Sequence, residues 1–406
     1  MNPTKKNAGY GRWLFLQVTV FVFLCLLLAP KVRCEFTEAG LRWLFMLVFS
    51  FSVAFCLTPV FAAIARKFNI MDMPDARKAH SEATPLLGGG AVFLALIGAV
   101  ALNGIWAPGI SRILAGSAIL FIVGAADDIR EVRVRYKMAA QFLAAVFVMS
   151  GGIVLRVLPD CYGIFSIMGN WVLTMTWIIG ITNAMNFFDG MDGLAAGLGA
   201  MIAFFLGVIA LQTDQPFLGW ISVAVMGSCL GFLPHNLKAR GRASIFLGDG
   251  GSTVIGFVLA CIAVYGKWAE HNAVVALVSP LLIFWVLVFD MVYITVDRIY
   301  AGKVATVREW LEYVGRDHLH HRLADVIGSK KKSVVFIYMM TACMGISALV
   351  LRNASPGDAL LLVLQAVILV GLISVLERYG RQETRDKKQE TRDRKQETRN
   401  KRQETG

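Results

Sequence analysis

Four short polar stretches of the chain carry residue types that suit catalysis on phosphates. They are Asp127-Asp128, residues 183–193 (NAMNFFDGMDG), residues 246–252 (FLGDGGS) and residues 317–322 (DHLHHR). Carboxylate and amide oxygens are the ligands that Mg²⁺ prefers, and Mg²⁺ usually bridges to substrate phosphates. Glycine-rich turns at helix starts present N–H groups to anions, arginine neutralises phosphoryl charge, and histidine binds phosphate or relays a proton. The combination predicts phosphoryl transfer with a divalent metal.

Each stretch also has an ordinary structural explanation when it is taken alone. An Asp-Asp pair among arginines is often a solvated helix cap, and Asp189-Gly and Asp192-Gly are common in turns. The histidine cluster lacks the cysteine or spaced carboxylate that would complete a tetrahedral zinc site. Asp290 interrupts an apolar run, which indicates either function or a structural ion pair. Only a shared location for the four stretches favours a common site.

Transmembrane helices are the elements that must position these stretches. Residues of the AVILMFWYC set make up 56% of the 406 residues and charged residues only 17%, whereas soluble domains have about 25% charged residues. A membrane span needs about 20 apolar residues. Twelve runs come close to that length: 13–30, 42–64, 90–106, 110–126, 138–157, 167–183, 193–212, 217–234, 249–265, 273–296, 334–351 and 358–377. We therefore expect an all-α polytopic membrane protein with about 11–12 transmembrane helices.

The basic residues indicate which face of the membrane carries the polar stretches. Of the 40 Lys and Arg residues, 33 fall in one alternating set of segments: the N-terminal tail, 65–89, 127–137, 184–192, 235–248, 297–333 and the residues after 377. An excess of Lys and Arg marks the cytoplasmic face, so both termini and all four stretches are predicted to be cytoplasmic. Because the basic residues lie on this face, we expect the net charge of +12 to favour contact with anionic membrane lipids. We expect no nucleic acid partner.

The two ends of the chain are predicted to lie outside the catalytic part. The first apolar run follows Lys5, Lys6 and Arg12 and lacks a good cleavage site, so an uncleaved signal anchor is favoured over a signal peptide. We divide the chain into a membrane domain, residues 1–377, and a charged tail, residues 378–406. The tail repeats every seven residues without the apolar positions of a coiled coil, which predicts a solvated segment. Contact with anionic headgroups is the alternative for this tail.

The four stretches, together with an earlier loop, resemble the polyprenyl-phosphate N-acetylhexosamine-1-phosphate transferases. Residues 77–89 are similar to the first cytoplasmic loop of that family, and Asp127-Asp128, with Lys137 and Gln141 downstream, is similar to its Asp-Asp block. Residues 183–193 and 246–252 resemble its Asn-x-x-Asn-x-x-Asp-Gly-x-Asp-Gly and Phe-x-Gly-Asp-x-Gly-Ser blocks. Residues 318–322 resemble its last block, and the resemblance spans roughly residues 40–350.

The resemblance implies a reaction in which undecaprenyl phosphate attacks the β-phosphorus of a UDP-N-acetylhexosamine. UMP leaves, and an undecaprenyl-diphosphate sugar stays in the membrane as the first intermediate of a cell-surface glycan. The enzyme would lie in the bacterial inner membrane with its site facing the cytosol. A polytopic secondary transporter is the alternative from another class, but its intramembrane charges would repeat in the two halves of the chain.

The resemblance also implies roles for single residues, which it carries over position by position. Asn186 and Asp249 match the ligands of Mg²⁺, for which Mn²⁺ is the alternative. The implied catalytic residues are Asp127, Asp128, Asp249 and His320, and which carboxylate of the Asp-Asp pair acts is open. The implied substrate-binding residues are Arg77, Lys78, His80, Asn183, Asp189, Gly190, Asp192, Phe246, His318, His321 and Arg322.

Departures from the family pattern bear on the sugar more than on the reaction. The muramoyl-pentapeptide branch carries a His-His-His motif, whereas this chain has His318-Leu-His-His-Arg322. That difference favours a simpler UDP-sugar, such as UDP-GlcNAc. Ser244 replaces the usual basic residue of the third block. The exact sugar, the glycan pathway, a covalent intermediate and the oligomeric state, a homodimer included, stay open.

Overall fold

A computed structural model describes residues 3–73, 83–238, 241–268, 273–306, 309–310, 317–351 and 357–376, together with residues 313, 315 and 355. Helices make up nearly all of its regular structure, which confirms the all-α class. The helices are α1 (Pro3–Leu27), α2 (Pro30–Glu38), α3 (Arg42–Lys67), α4 (Gly88–Leu102), α5 (Pro108–Ile129), α6 (Val134–Met149), α7 (Ile164–Phe187), α8 (Leu194–Gln212), α9 (Pro216–Asn236), α10 (Gly248–Tyr265), α11 (Ala273–Ile283), α12 (Trp285–Tyr300), α13 (Leu319–Ile327), α14 (Lys330–Leu351) and α15 (Gly357–Leu376). Short 3₁₀ turns occur at Asp160–Tyr162 and Phe188–Gly190. The tail after residue 377 lies outside the described residues.

Eight described helices are long and apolar enough to cross a membrane: α3, α5, α7, α8, α9, α10, α14 and α15. The number rises to 10 if two bent pairs, α1 with α2 and α11 with α12, each count as one span. The apolar helix α4 is shorter. The multi-pass membrane class is confirmed, and the count of full-length spans is lower than the number of apolar runs.

Breaks inside apolar runs account for that difference. The run 273–296 is split by a bend of 81° between α11 and α12, one turn after Pro280, which lacks the N–H of a regular helix. The run 138–157 is helical only to Met149, and Gly152 then takes a positive φ of +85°, a conformation that favours glycine. Hydropathy alone does not register such breaks.

Helix α10 lies at the centre of the bundle and fixes the position of Asp249. It packs against α4, α5, α7, α8 and α9, and 83% of its most apolar window is buried, against 17% for the peripheral α15. The backbones of α5 and α10 touch, because a Cβ added to Gly124 would lie 2.5 Å from Gly250 Cα. This contact brings the C-terminal end of α5 beside the N-terminal end of α10.

A small antiparallel pair of strands, which the sequence pattern does not predict, lies beside the start of α10. Strand β1 (Met71–Asp72) pairs with β2 (Thr84–Pro85). The Phe246 N–H donates to Pro85 O at 2.8 Å, and the Gly88 N–H donates to Phe246 O at 3.0 Å. The pair of strands therefore anchors both described ends of the first predicted cytoplasmic loop next to the third polar stretch.

Candidate active site

Lys137 joins two of the predicted stretches through their carboxylates. Its ammonium lies 2.9 Å from Asp127 Oδ2 and 2.7 Å from Asp249 Oδ2. The second oxygen of Asp127 accepts a hydrogen bond from the Val132 N–H at 2.7 Å, which orders the short connection between α5 and α6. The lysine on the first turn of α6 is thereby held over both carboxylates.

Asp128 has a different set of partners and caps the start of α10. Its two oxygens accept the N–H groups of Asp249 at 2.8 Å and Gly250 at 3.2 Å. The first N–H groups of a helix lack partners within the helix, and an anion there is favoured by the helix dipole. Gly248 takes a φ of +78°, and a Cβ there would lie 2.5 Å from the Asp128 carboxylate. Asp128 therefore fixes the position from which the Asp249 side chain projects.

The two asparagines of the second stretch lie on α7 and face the same cluster. Asn186 Nδ2 donates to Asp249 Oδ1 at 3.0 Å and to Ser252 Oγ at 2.9 Å. Asn183 and Gln141 form a reciprocal amide pair, with N···O distances of 2.7 and 3.2 Å. The spacing of three residues puts both asparagines on one face of the helix. They connect α7 to α10 and to α6.

The end of the second stretch is tied to the connection between α9 and α10. The Asp189 carboxylate interacts electrostatically with the N–H of Gly248, and Asp192 Oδ2 accepts the N–H of Ala243 at 3.2 Å. Gly193, at a φ of +81°, donates its N–H to Asn236 Oδ1 and accepts the Tyr338 hydroxyl, each at 2.5 Å. These contacts hold Asp189 and Asp192 close to the start of α10.

A cavity of about 30 Å³ opens on this cluster, which is room for about two water molecules. One wall is apolar and formed by α5. The remaining lining is polar and includes the Lys137 ammonium and the Asp249 carboxylate. The lining residues are Leu120, Val123, Gly124, Lys137, Gln141, Asn183, Asn186, Asp249 and Thr253. The cavity thus joins an apolar wall inside the bundle to a charged end.

The histidines of the fourth stretch pack against the second stretch. The His318 ring lies 4.7 Å from the Phe187 ring, and the His320 ring lies 5.3 Å from the Phe188 ring, between centroids. A Cβ added to Gly190 would lie 2.8 Å from His320 Nε2, so only glycine leaves space for the imidazole there. Helix α13 therefore closes over Gly190, which the sequence predicted as a substrate-binding position.

His320 is 1% exposed, and within the described part of the chain neither of its ring nitrogens has a hydrogen-bond partner. Burial, followed by electrostatic repulsion between the protonated ring and His321, His318 and Arg322, lowers the pKa of His320 far below its ordinary value. The ring is therefore neutral at pH 7 and has one nitrogen that donates and one that accepts. Two buried ring nitrogens without partners mark a place where a polar ligand would be favoured.

An ion pair anchors the start of the fourth stretch to α12. Arg298 donates to both oxygens of Asp317, at 2.8 and 2.9 Å, and Arg298 itself is 2% exposed. Burial opposes ionisation of Asp317, but the guanidinium outweighs it, and the pKa of this carboxyl is lowered. The loop before α13 is thus fixed by a bidentate, charge-assisted contact.

The structure brings most of the predicted residues together and leaves one group aside. Asp127, Asp128, Asn186 and Asp249 form one cluster, while Asn183, Asp189, Gly190, Asp192, Phe246 and the residues His318, His320, His321 and Arg322 flank it. Arg77, Lys78 and His80 lie outside the described residues. Their individual roles stay predictions.

Three residues near the cluster had no predicted role. They are Lys137, Asn236 and Tyr338. Lys137 had a sequence signal, because it follows the Asp-Asp pair in the block that resembles the family, and Asn236 is a polar residue at the end of an apolar run. Nothing in the sequence pattern singled out Tyr338.

The donor set near Asp249 suits Mg²⁺ better than a metal that needs many protein ligands. Within the described ranges no group of three or more His, Cys, Asp or Glu side chains is arranged to hold a metal. Mg²⁺ keeps several waters and takes one or two carboxylates together with substrate phosphates. Asp127 and Asp249 share a single lysine, so these two carboxylates carry an excess of negative charge that a divalent cation would offset. The residues present fit such an ion.

The sequence profile of glycosyl transferase family 4 matches residues 110–267, which contain three of the four polar stretches. A Bacillus subtilis (strain 168) protein, named "Probable undecaprenyl-phosphate N-acetylglucosaminyl 1-phosphate transferase", is 29% identical over 83% of this chain and 92% of its own length. The decaprenyl-phosphate N-acetylglucosaminephosphotransferase of Mycobacterium tuberculosis (strain H37Rv) is 30% identical over 77% of this chain and 83% of its own length. The undecaprenyl-phosphate alpha-N-acetylglucosaminyl 1-phosphate transferase of Escherichia coli (strain K12) is 28% identical over 69% and 76%, respectively.

Proposed function

The chain belongs to glycosyl transferase family 4, and from this premise we propose that it transfers N-acetylhexosamine 1-phosphate from a UDP-sugar to a polyprenyl phosphate. The donor is UDP-GlcNAc or a related UDP-N-acetylhexosamine, and the acceptor is undecaprenyl phosphate. The products are undecaprenyl-diphosphate-N-acetylhexosamine and UMP. Such a product would begin the assembly of a cell-surface glycan, for example a lipopolysaccharide O-antigen or a cell-wall polymer.

The cavity beside Asp249 is the observation that carries this proposal. Its wall on α5 is apolar, and its end holds the Lys137 ammonium between Asp127 and Asp249. A polyprenyl phosphate has the same division, with an isoprenoid chain that prefers the membrane and a phosphate that needs a cation. A soluble sugar acceptor would have no use for an apolar wall inside a helix bundle.

In the proposed step, an oxygen of the acceptor phosphate attacks the β-phosphorus of the UDP-sugar, which carries the sugar. A new P–O bond forms, the bond to the bridging oxygen of UMP breaks, and UMP leaves with the bonding electrons. Lys137 neutralises phosphate charge during the attack. Asp127 orients this lysine and the acceptor phosphate, whose second pKa near 6 makes removal of a proton a small task at pH 7. Asp128 is occupied by the N–H groups of Asp249 and Gly250 and acts by holding Asp249.

Asp249 and Asn186 are the residues that would hold Mg²⁺, or Mn²⁺ in its place. When bound, the ion would neutralise the negative charge that develops on the departing UMP phosphate. Asp249 lies at the start of α10, where the helix dipole also favours negative charge. The Asn186 amide donates to both Asp249 and Ser252, and these two contacts hold α7 against α10.

The donor would lie between the second, third and fourth stretches. Phe246 lies in the connection between α9 and α10, Asp192 contacts that connection at Ala243, and Gly190 faces His320. We assign the nucleotide to this side. His318, His320, His321 and Arg322 would contact the diphosphate, where the neutral His320 offers hydrogen bonds and Arg322 offers charge. Asn183 and Asp189 support this surface from α7 and the turn that follows it.

We assign the enzyme to the bacterial inner membrane, with the site and both termini on the cytosolic side. The charge asymmetry of the connecting segments supports this orientation, since UDP-sugars are made in the cytosol. The surrounding lipids are then a further partner of the basic segments. The relatives offer no support for a transporter.

Purified protein in detergent with undecaprenyl phosphate, Mg²⁺ and a panel of UDP-sugars tests the proposal. We expect UMP and a lipid-linked diphosphate sugar in equal amounts, with one UDP-N-acetylhexosamine clearly preferred. The Asp249→Asn variant, purified in the same way, is the matched control for contaminating activity. Release of UDP instead of UMP would show transfer of the sugar without its phosphate, and the proposal would be wrong.

A further inference from the structure

Asp290 is a buried carboxylate whose observed partners all lie on the fourth polar stretch, residues 317–322, which we call the histidine stretch. It is 0% exposed and sits in α12, after the bend that separates this helix from α11. Its Oδ2 lies 2.7 Å from His318 Nδ1, and its Oδ1 accepts the Leu319 N–H at 2.6 Å. Arg322 Nη2 lies 3.9 Å from the same Oδ1.

These contacts determine the state of the His318 ring. An ionised carboxylate only accepts hydrogen bonds, so the proton of the ring must be on Nδ1. In its neutral form the ring then presents Nε2 as an acceptor. A carboxylate that fixes a histidine in this way sets both its tautomer and its orientation, as carboxylates behind metal-bound histidines do. His318 is 5% exposed, so water does not compete well for Nδ1.

Anchoring the loop does not require Asp290. The Arg298–Asp317 pair already ties the residue before His318 to α12 with two hydrogen bonds. A carboxylate that served only to hold the loop would duplicate this contact and carry the cost of burial in an apolar helix. Unlike the ion pair, Asp290 contacts the His318 imidazole and the N–H of Leu319, which is the first residue of α13.

We propose that Asp290 is a positioning residue for the phosphoryl transfer: it fixes the tautomer of His318 and the start of α13, and so presents the histidine stretch to the donor diphosphate. This inference rests on the proposed function. The chain of contacts runs from Asp290 to His318 and Leu319, and from α13 to His320, which closes over Gly190.

The first experiment measures the His318 tautomer directly and does not depend on activity. Protein labelled with ¹⁵N-histidine is placed in lipid bilayers, and the His318 signals are assigned by comparison with His318→Gln. We expect a protonated Nδ1 and an unprotonated Nε2 at pH 7.5 in the wild type. In Asp290→Asn the amide can donate to Nδ1, so the pattern should reverse. The same tautomer in both proteins would overturn the inference.

The second experiment is a kinetic double-mutant cycle of Asp290→Asn, His318→Gln and the double variant. We expect Asp290→Asn to lower kcat about 10- to 100-fold, the range for residues that act behind a metal-bound histidine, with an unchanged KM for undecaprenyl phosphate. In the His318→Gln background the same change should cost less than about threefold, because coupled residues are not additive. Fully additive losses would mean that Asp290 does not act through His318.

Asp317→Asn is the matched control, since it weakens the other carboxylate contact of the same loop. We expect a lower melting temperature with kcat within about threefold of the wild type, because the loop loses a charge-assisted contact while His318 keeps its partner. If Asp317→Asn lowered kcat as much as Asp290→Asn does, Asp290 would have only a structural role.

Asp290→Glu, which keeps the carboxylate, is the second variant if Asp290→Asn does not fold. It should retain the wild-type tautomer of His318, and loss of that tautomer would count against the inference. A wild-type protein without transfer activity would refute the proposed function, while the labelled protein would still test Asp290.

Discussion

Removal of the Lys137 ammonium is the perturbation that the site geometry specifies best. Lys137→Met keeps most of the side-chain length and removes the charge that lies 2.7 Å from Asp249 and 2.9 Å from Asp127. The variant leaves both carboxylates facing each other without their shared cation. We expect turnover to fall and the affinity of the site for a divalent cation to rise, because the lysine and a metal compete for the same Asp249 oxygen.

The magnitude follows from the distances. At an effective dielectric constant of about 20, unit charges 2.7 Å apart interact by roughly 6 kcal/mol. Desolvation offsets much of that, and breaking a buried ion pair typically costs about 3–5 kcal/mol. Lys137 and Asp249 are 29% and 30% exposed, so the lower end applies. The same ammonium faces the acceptor phosphate in the proposed step, and loss of a contact of similar strength, about 3 kcal/mol, from the transition state would lower kcat about 10²-fold.

Two measurements check this prediction. UMP release under saturating substrates gives kcat, and electron paramagnetic resonance of added Mn²⁺ gives metal affinity without turnover. Arg135→Met is the matched control, because it removes one positive charge from the same turn of α6 while its guanidinium lies over Tyr136. If Lys137→Met kept kcat within about twofold and bound Mn²⁺ as the wild type does, Lys137 would have no part in the site.

Four further predictions follow from other parts of the molecule. Asp249→Asn keeps the size of the side chain but removes its charge, so kcat should fall at least about 10³-fold, or ~4 kcal/mol, in protein that still folds; near-normal turnover with the same Mg²⁺ requirement would contradict the metal assignment. Asp128→Ala removes the cap of α10 and should cost about 1–2 kcal/mol of stability, visible as a lower melting temperature, whereas an unchanged one would disprove the capping role. The lowered pKa of His320 means that the unfolded chain binds a proton below about pH 6.5 that the folded chain does not, so stability is full above that pH and falls by up to about 1.4 kcal/mol per unit below it. His320→Gln should flatten this decline in thermal unfolding scans, and parallel curves for both proteins would refute it. Deletion of residues 381–406 should leave specific activity within about tenfold, or ~1.4 kcal/mol, and a larger loss in correctly inserted protein would show a role for the tail.

The grouping of the polar stretches could be predicted from the sequence because each lies at the end of an apolar run. The charge asymmetry assigned those ends to one face, and the structure packs Asp128, Asn186 and Asp249 within hydrogen-bond distance of one another or of shared partners. Motif spacing also reported local geometry correctly. The two asparagines three residues apart face the same side of α7, as helical periodicity requires.

Pairing between elements could not be predicted, because it depends on how the helices cross. Arg130, Arg133, Arg135 and Lys137 all follow the Asp-Asp pair, yet it is the lysine that bridges Asp127 and Asp249. Similarly, Asp290 was recognised as unusual from its apolar surroundings, but its partner His318 lies 28 residues further along the chain, after the end of α12. Contacts between side chains of different helices produce no periodic pattern in the sequence, so hydropathy and spacing do not predict them.

The Asp127-Asp128 pair shows most clearly how packing divides roles that look identical in sequence. Neighbouring residues of an α-helix point about 100° apart, so the two carboxylates cannot face the same partner. The close contact of Gly124 with Gly250 places the start of α10 on one side of α5, and the carboxylate on that side, Asp128, takes the free N–H groups of α10. Asp127 is left to face Lys137, which lines the cavity. Since Asp128 reaches the chemistry only through α10, its replacement should act by displacing Asp249, whereas replacement of Asp127 should act on the lysine and the acceptor phosphate directly.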